Sequence, residues 1–172
     1  MTTATEPLRE EHKELIPHIE ALLAAADAVD TDAPEALRAK VDASYEFLVH
    51  GLIPHAKAEE RALYPVIGRL LGAPEATGTM SRDHVEVIHL TDQLRDARKQ
   101  LDGPATAAVR ADLRRILYGL YALVHVHFAK EEEVYLPILD RGLSPEDARK
   151  MFEAMEAAAA EAKAQARARD AA

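Results

Sequence analysis

The stretch His55-Ala-Lys-Ala-Glu59-Glu60-Arg-Ala-Leu63-Tyr64-Pro65 returns in altered form 72 residues later as His127-Phe-Ala-Lys-Glu131-Glu132-Glu-Val-Tyr135-Leu136-Pro137. A histidine upstream of each stretch, His12 before the first and His84 before the second, keeps the same offset. Apolar positions also correspond, with Ile16 over Ile88, Leu22 over Leu94 and Leu48 over Leu120. The second half of the chain is therefore predicted to be a structural copy of the first.

Both stretches suit helices that turn their His and Glu to one side. At about 100° per residue, positions i and i+4 lie about 40° apart, so His55 and Glu59 can reach one point, as can His127 and Glu131. The two pairs fall in register with apolar residues that must face an interior: Leu48, Leu52, Leu120 and Val124. These ionisable side chains are thus expected inside the protein.

The rest of the chain also favours helix. It has 7 Gly and 5% aromatic residues in 172, and its Ala, Leu, Glu, Arg and Lys lose little rotamer freedom in a helix. We predict an all-α protein, an up-down-up-down four-helix bundle with a short fifth C-terminal helix. Helices are expected at about 6–29, 33–71, 79–101 and 104–140, the second capped at Asp32 with Pro34 in its first turn and the last with Val134 and Ile138 facing inward.

Domain organisation follows from the breaks between these helices. Residues 1–143 are predicted to form the bundle. Residues 144–172 are predicted to be a C-terminal helix and an Ala-rich tail, with too little apolar surface to dock firmly and a frayed end.

Composition excludes several classes of function. The net charge of −9 would repel a phosphate backbone, so nucleic acid is not expected as a partner. With no Cys, the chain has no disulfides, thiolate metal sites or thiol catalysis. It shows neither a leader pattern nor the roughly 20 apolar residues that a membrane span needs, and we expect a cytoplasmic protein.

Buried imidazoles and carboxylates without partners would each cost several kcal/mol, on the order of the usual desolvation penalties. A divalent metal pair offsets that cost, with two His for each ion and two carboxylates able to bridge both. Such ligands suit iron or manganese better than copper(I) or a closed structural zinc site, and leave positions open for a small diatomic ligand or peroxide. The predicted ligands are His12, His55, Glu59, His84, His127 and Glu131.

Three further residues are candidates for the site. Tyr45 stands where the other half has Leu117; it is a possible ligand or hydrogen-bond partner of one metal, and alternatively a core residue. Glu60 and Glu132, about 100° around the helix from the inward Glu, are possible hydrogen-bond partners of the ligand imidazoles. Alternatively they are solvated.

The ordered set of His, HxxxE, His and HxxxE resembles the hemerythrin-like (HHE cation-binding) family, over about Leu8 to Leu139. The resemblance implies a four-helix bundle around a non-haem centre of two iron ions (Fe2+/Fe3+), oxo- or hydroxo-bridged when oxidised. The oxygen-carrying members have a second His where this chain has Ile88, and an Asp where it has Glu132. The chain is instead similar to the bacterial branch with symmetric ligand sets.

The resemblance implies that the chain binds or turns over dioxygen, hydrogen peroxide or nitric oxide, in oxidative or nitrosative stress defence. As an enzyme it would be a di-iron oxidoreductase with peroxidase, catalase or nitric-oxide-consuming activity. The alternative is a non-catalytic carrier or sensor of oxygen or iron. A third reading is a structural bundle held by zinc or by no metal. A ferritin-like di-iron protein is disfavoured because its Glu-x-x-His signature has the reverse order.

Overall fold

The computed structural model describes residues 3–170, and these form five helices and no strand. The expectation of an all-α protein is confirmed. Within this range no helix is both long enough and apolar enough to cross a membrane. The helices are α1 (Glu6–Asp27), α2 (34–71), α3 (Gly78–Arg98), α4 (107–142) and α5 (Pro145–Asp170).

Local chemistry sets the helix ends. Pro7 and Pro34 lie in first turns, where the missing N–H has no intrahelical partner to lose. Gly72 ends α2 in the left-handed conformation at φ 64°, which a residue without Cβ adopts freely. The start of α4 was predicted at about residue 104 but lies at Ala107, because the Thr106 side chain accepts a hydrogen bond from the Val109 N–H and caps the helix there.

Polar contacts at both ends show that α1 and α4 run antiparallel. Thr5, at the start of α1, donates its N–H and its hydroxyl to Asp140 near the end of α4, both at 2.9 Å. At the other end, Arg110 near the start of α4 donates to the carbonyl of Val29. Helices α3 and α4 are likewise antiparallel, since Lys130 contacts Asp83 whereas Arg115 contacts Gln93.

The core follows the sequence repeat. Leu22 and its counterpart Leu94 are fully buried, as are Leu48 and its counterpart Leu120. The pair Ile16 and Ile88, also matched in the repeat, is exposed in both halves. Paired positions of the repeat therefore agree in burial as well as in residue type, including one apolar pair that stays exposed.

Two of the helices widen into single π-helical turns, at Leu48–Leu52 and Glu59–Leu63 in α2 and at Glu131–Tyr135 in α4. Each turn is followed two residues later by a proline: Pro54, Pro65 and Pro137. A proline ring within a helix collides with the carbonyl four residues earlier, which here lies inside the π turn, and widening the turn relieves that collision.

The π turn in α4 changes which residues face inward. Val134 was predicted inside, but its exposed fraction is 50%. Leu136 and Leu139 are fully buried instead. The prediction was wrong because it counted an unbroken period of 3.6 residues, and the widened turn shifts the helix face.

The expectation that the fifth helix would be short and weakly docked was also wrong. α5 has 26 residues and packs on the part of α2 that surrounds His55 and Glu59. The prediction counted large apolar side chains, whereas Ala at close helix contacts lets the backbones approach and still excludes water. Its buried residues recur at spacings of three and four: Ala148, Met151, Met155, Ala158 and Ala162.

Replacing Met155 by Ala tests this docking. Met155 is 4% exposed, and truncating a buried Met should lower the free energy of unfolding by about 2–5 kcal/mol. Urea denaturation followed by circular dichroism measures the change. Glu156→Ala, at the exposed neighbour, is the matched control and should stay within about 0.5 kcal/mol of wild type. Equal stability of the two variants would mean that α5 does not dock as described.

Candidate metal centre

The six residues predicted as metal ligands meet in the interior of the helical assembly. α1 supplies His12, α2 supplies His55 and Glu59, α3 supplies His84, and α4 supplies His127 and Glu131. Their exposed fractions lie between 0% and 6%. The repeat in the sequence thus becomes a single cluster with side chains from four helices.

Each carboxylate of the cluster is shared between two imidazoles. Glu59 Oε1 lies 3.1 Å from His55 Nε2, and its Oε2 lies 3.3 Å from His84 Nε2. In the other half, Glu131 Oε1 lies 3.4 Å from His127 Nε2, and its Oε2 lies 3.5 Å from His12 Nε2. Both carboxylates therefore connect the pair His12 and His55 with the pair His84 and His127.

Two overlapping sets of donor atoms could each hold an ion. His12, His55, Glu59 and Glu131 form one set, and Glu59, His84 and His127 form the other, with the donor atoms of each set within 4.8 Å of one another. Donors bound at 2.0–2.2 Å to one cation stand about 3 Å apart. The observed separations of 3.0–3.5 Å fit that geometry.

Several polar atoms of the cluster are buried with no hydrogen-bond partner, among the residues that the structure describes. They include His12 Nε2, His55 Nε2, both oxygens of Glu59 and Oε2 of Glu131. In addition, the Nε2 atoms of His84 and His127 face each other at 3.0 Å. Unpartnered buried carboxylates and imidazoles are costly. Because a cation between these donors would remove the cost, the residues present fit a pair of metal ions.

The Nδ1 atoms on the outer side of the four imidazoles each face another carboxylate. His12 is paired with Glu132 at 2.7 Å and His84 with Glu60 at 2.8 Å. Donation of Nδ1–H to a carboxylate fixes the tautomer that turns the Nε2 lone pair to a metal. Glu60 and Glu132 thus make the contacts proposed for them from the sequence.

The other two outer carboxylates, Glu11 and Asp83, were missed in the sequence. Asp83 lies 3.0 Å from His127 Nδ1. Glu11 lies 3.1 Å from His55 Nδ1, although outside hydrogen-bond geometry. A signal was available, because these acids are related by the same offset of 72 and each directly precedes a ligand histidine. They were overlooked because each serves the imidazole of a neighbouring helix and not the one beside it in sequence.

A different tyrosine from the predicted one reaches the cluster. Tyr45 packs its ring against the Arg98 guanidinium, 4.7 Å away. Buried Tyr64 instead donates its hydroxyl to Glu131 at 3.1 Å and lies 3.3 Å and 3.4 Å from the Nε2 atoms of His127 and His84.

The π turns explain why Tyr64, and not Tyr45, reaches the cluster. Each widened turn absorbs one residue, so Tyr64 follows Glu59 by effectively four residues, or about 40°, and shares its face. The turn at Leu48–Leu52 similarly moves Tyr45 to about 180° from His55.

Burial and charge shift the pKa values of the cluster. Burial raises the pKa of Glu131, and the nearby charge of Glu59 raises it further. Burial alone would also raise the pKa of Glu59, but His55 holds it well below its usual range. The pKa of Tyr64 is raised far above its usual range by burial and by the surrounding carboxylates, so its hydroxyl keeps its proton.

Comparison with known families points to cation binding. The family profile described as the hemerythrin HHE cation binding domain matches residues 3–139. The match includes all six residues of the cluster and ends before α5. No curated protein and no solved structure matches the chain.

Substitution of Glu59 should affect both ion positions, because its two oxygens face both histidine pairs. Glu59→Gln is expected to abolish most metal uptake, whereas His84→Ala should leave the His12–His55 position able to bind. Metal content per chain, measured by mass spectrometry after loading and desalting, distinguishes the two variants. Glu133→Ala, an exposed acid beside Glu131, should keep the wild-type content. A loss in Glu59→Gln no greater than that in His84→Ala would contradict a shared carboxylate.

Metal affinity should fall as the pH is lowered. Burial alone lowers the pKa of His55 and His127, but Glu59 acts on the first and Glu131 on the second so that both pKa values are raised. The metal-free imidazoles therefore keep their protons to higher pH, and a cation must displace them. Calorimetric titration at several values between about pH 6 and 8 should show tighter binding at higher pH with proton release. Affinity independent of pH would contradict this assignment.

Proposed function

This chain belongs to the hemerythrin HHE cation-binding family, and from that premise we propose that it binds two iron ions and turns over a small oxidant. One ion would lie between His12 and His55 and the other between His84 and His127. We also infer that α1 to α4 form an up-down-up-down bundle, which the antiparallel contacts of α1 with α4 and of α3 with α4 support.

The sharing of Glu59 and Glu131 between the two histidine pairs is the observation that carries this proposal. The first position has four nitrogen and oxygen donors. An ion with octahedral preference would keep two positions open there, whereas a tetrahedral structural zinc site would be complete. Imidazole and carboxylate donors also suit iron more than softer metals.

Tyr64 favours turnover over simple storage. When bound, a pair of iron ions supplies one-electron redox chemistry and Lewis-acid positions for an oxidant. Reduction of peroxide or nitric oxide also consumes protons, and the Tyr64 hydroxyl, which donates to Glu131, lies beside the Nε2 atoms of His84 and His127. Tyr64 is therefore placed as a hydrogen-bond donor at the second ion position, and cations bound there would lower its pKa and make it a better proton donor. Oxidative or nitrosative stress defence is the role that we propose.

A carrier or sensor of oxygen is the second candidate, favoured by the burial of the cluster residues. The six cluster residues are nearly inaccessible to solvent, and exclusion of water protects a reversibly bound ligand from side reactions. In this reading Tyr64 would hold Glu131 in position and would not transfer a proton.

Anaerobic loading with ferrous iron, followed by addition of hydrogen peroxide or nitric oxide, separates the two candidates. With an excess of a one-electron reductant present to re-reduce the iron, we expect consumption of more than one equivalent of peroxide or nitric oxide per chain, slowed about 100-fold in Tyr64→Phe through loss of the proton source. Tyr45→Phe is the matched control and should consume at the wild-type rate. A ferrous spectrum that returns when oxygen is removed, with no consumption of peroxide or nitric oxide, would establish the carrier. Failure to retain iron would contradict both candidates.

A further inference from the structure

Two of the four outer carboxylates have a second partner that is positively charged. Lys130 donates to Asp83 Oδ2, the same oxygen that lies 3.0 Å from His127 Nδ1. Arg9 donates to Glu132, whose other oxygen lies 2.7 Å from His12 Nδ1. At both places a cation, a carboxylate and a ligand imidazole therefore follow one another in direct contact.

We propose that Lys130 is a positioning residue of the metal centre, which acts through Asp83 to hold the His127 imidazole in place and to limit its electron donation to a bound ion. This inference rests on the proposed function and adds a residue outside the cluster to the second ion position. A carboxylate that accepts from Nδ1–H makes an imidazole a stronger ligand. Since a cation on the same carboxylate oxygen competes for its electron density, the imidazole becomes a weaker donor.

The placement of Lys130 suits this role. Lys130 follows His127 by about one helical turn of α4, so both side chains reach the same residue of α3. The side chain of Lys130 is 35% exposed and that of Asp83 is 17% exposed. The pair thus lies at the edge of the centre and partly out of water, where a charge acts more strongly than in bulk solvent.

The first half of the chain has no counterpart of Lys130. The equivalent position is Ala58, which is 3% exposed and packs in the same apolar cluster as Met155 of α5. A lysine there would carry its charge into the contact between α2 and α5. Glu11, the counterpart of Asp83, pairs with His55 and, among the described residues, with no lysine or arginine.

The same contrast holds for the arginine. Arg9 corresponds in the repeat to Ser81, whose uncharged hydroxyl donates to Glu60 at 2.9 Å. Arg9 also pairs with Asp140 at 3.2 Å near the end of α4. Because removal of Arg9 would disturb that contact between helices as well, Lys130 is the cleaner residue to test.

The two cations act on one side of the centre. The imidazoles with a cation behind their carboxylates, those of His12 and His127, both face Glu131. The imidazoles whose outer carboxylates have no such partner both face Glu59. The repeat therefore keeps the ligands and differs in the charge placed behind them.

Replacing Lys130 by Met removes the charge and keeps a long side chain. In the iron-loaded protein, the preference for the ferric over the ferrous state should rise about tenfold, which lowers a one-electron midpoint potential by about 59 mV. Lys130→Gln should shift the potential in the same direction, and Lys130→Arg should keep the wild-type value. Lys40→Met is the matched control, because Lys40 pairs with Asp32 at 2.8 Å near the start of α2; it should leave the potential unchanged.

Asp83→Asn separates action through the carboxylate from a direct effect of the charge. This variant alone should weaken metal binding by about 10- to 100-fold. In its background Lys130→Met should change the potential little, since the two residues act as one unit. An equal shift with and without Asp83 would overturn the positioning role, as would an unchanged potential in Lys130→Met.

Proton NMR of the metal-free protein supplies a readout that needs no iron. The Nδ1–H signal of His127 should move downfield in Lys130→Met, because Asp83 accepts a stronger hydrogen bond once its oxygen is no longer shared. It should move upfield in Asp83→Asn and stay in place in Lys40→Met. An unchanged signal in Lys130→Met would overturn the proposal. A wild-type chain without iron after loading would contradict the proposed function, and this signal would still decide whether Lys130 acts on His127.

Discussion

Two fully buried carboxylates, Glu59 and Glu131, are the constraint on which the rest of the structure depends. Each has its two oxygens directed at imidazoles of different helices. A charge in such a place is tolerated only when positive charge or hydrogen-bond donors surround it. The helices must therefore hold four imidazoles around the carboxylates, and the core packing on either side keeps them there.

The outer carboxylates connect the four helices that supply the cluster. Glu11 of α1 faces the imidazole on α2, Glu60 of α2 faces that on α3, Asp83 of α3 faces that on α4, and Glu132 of α4 faces that on α1. The four contacts form a closed ring in which each of the helices α1 to α4 both supplies and receives a partner. A shift of one of these helices would disturb two contacts, so the ring fixes the four helices relative to one another. Its hydrogen bonds also fix the tautomers of His12, His84 and His127.

The sequence predicted the helices, the repeat and the six cluster residues, because all of these follow from regular spacing. It failed where the spacing is irregular. Tyr64 was overlooked in favour of Tyr45, and Val134 was placed on the wrong face, because widened turns shift the helix face. Pro65 and Pro137, two residues beyond those turns, could have signalled them. Glu11 and Asp83 were overlooked because contacts between helices do not appear in the period of a single helix. The docking of α5 depends on Ala side chains, whose contribution comes from close backbone approach.

Because each carboxylate serves histidines from both halves of the repeat, neither half contains a complete centre. A half-length chain with these residues could assemble the same cluster only by pairing with a second copy, and its metal affinity would then depend on protein concentration. Joining the halves in one polypeptide replaces that association by an intramolecular one at high effective concentration. In one polypeptide the two halves can also differ at equivalent positions. Phe128 corresponds to Ala56 in the repeat, and Leu136 corresponds to Tyr64. The repeat therefore keeps the same cluster residues in both halves while the residues around them differ.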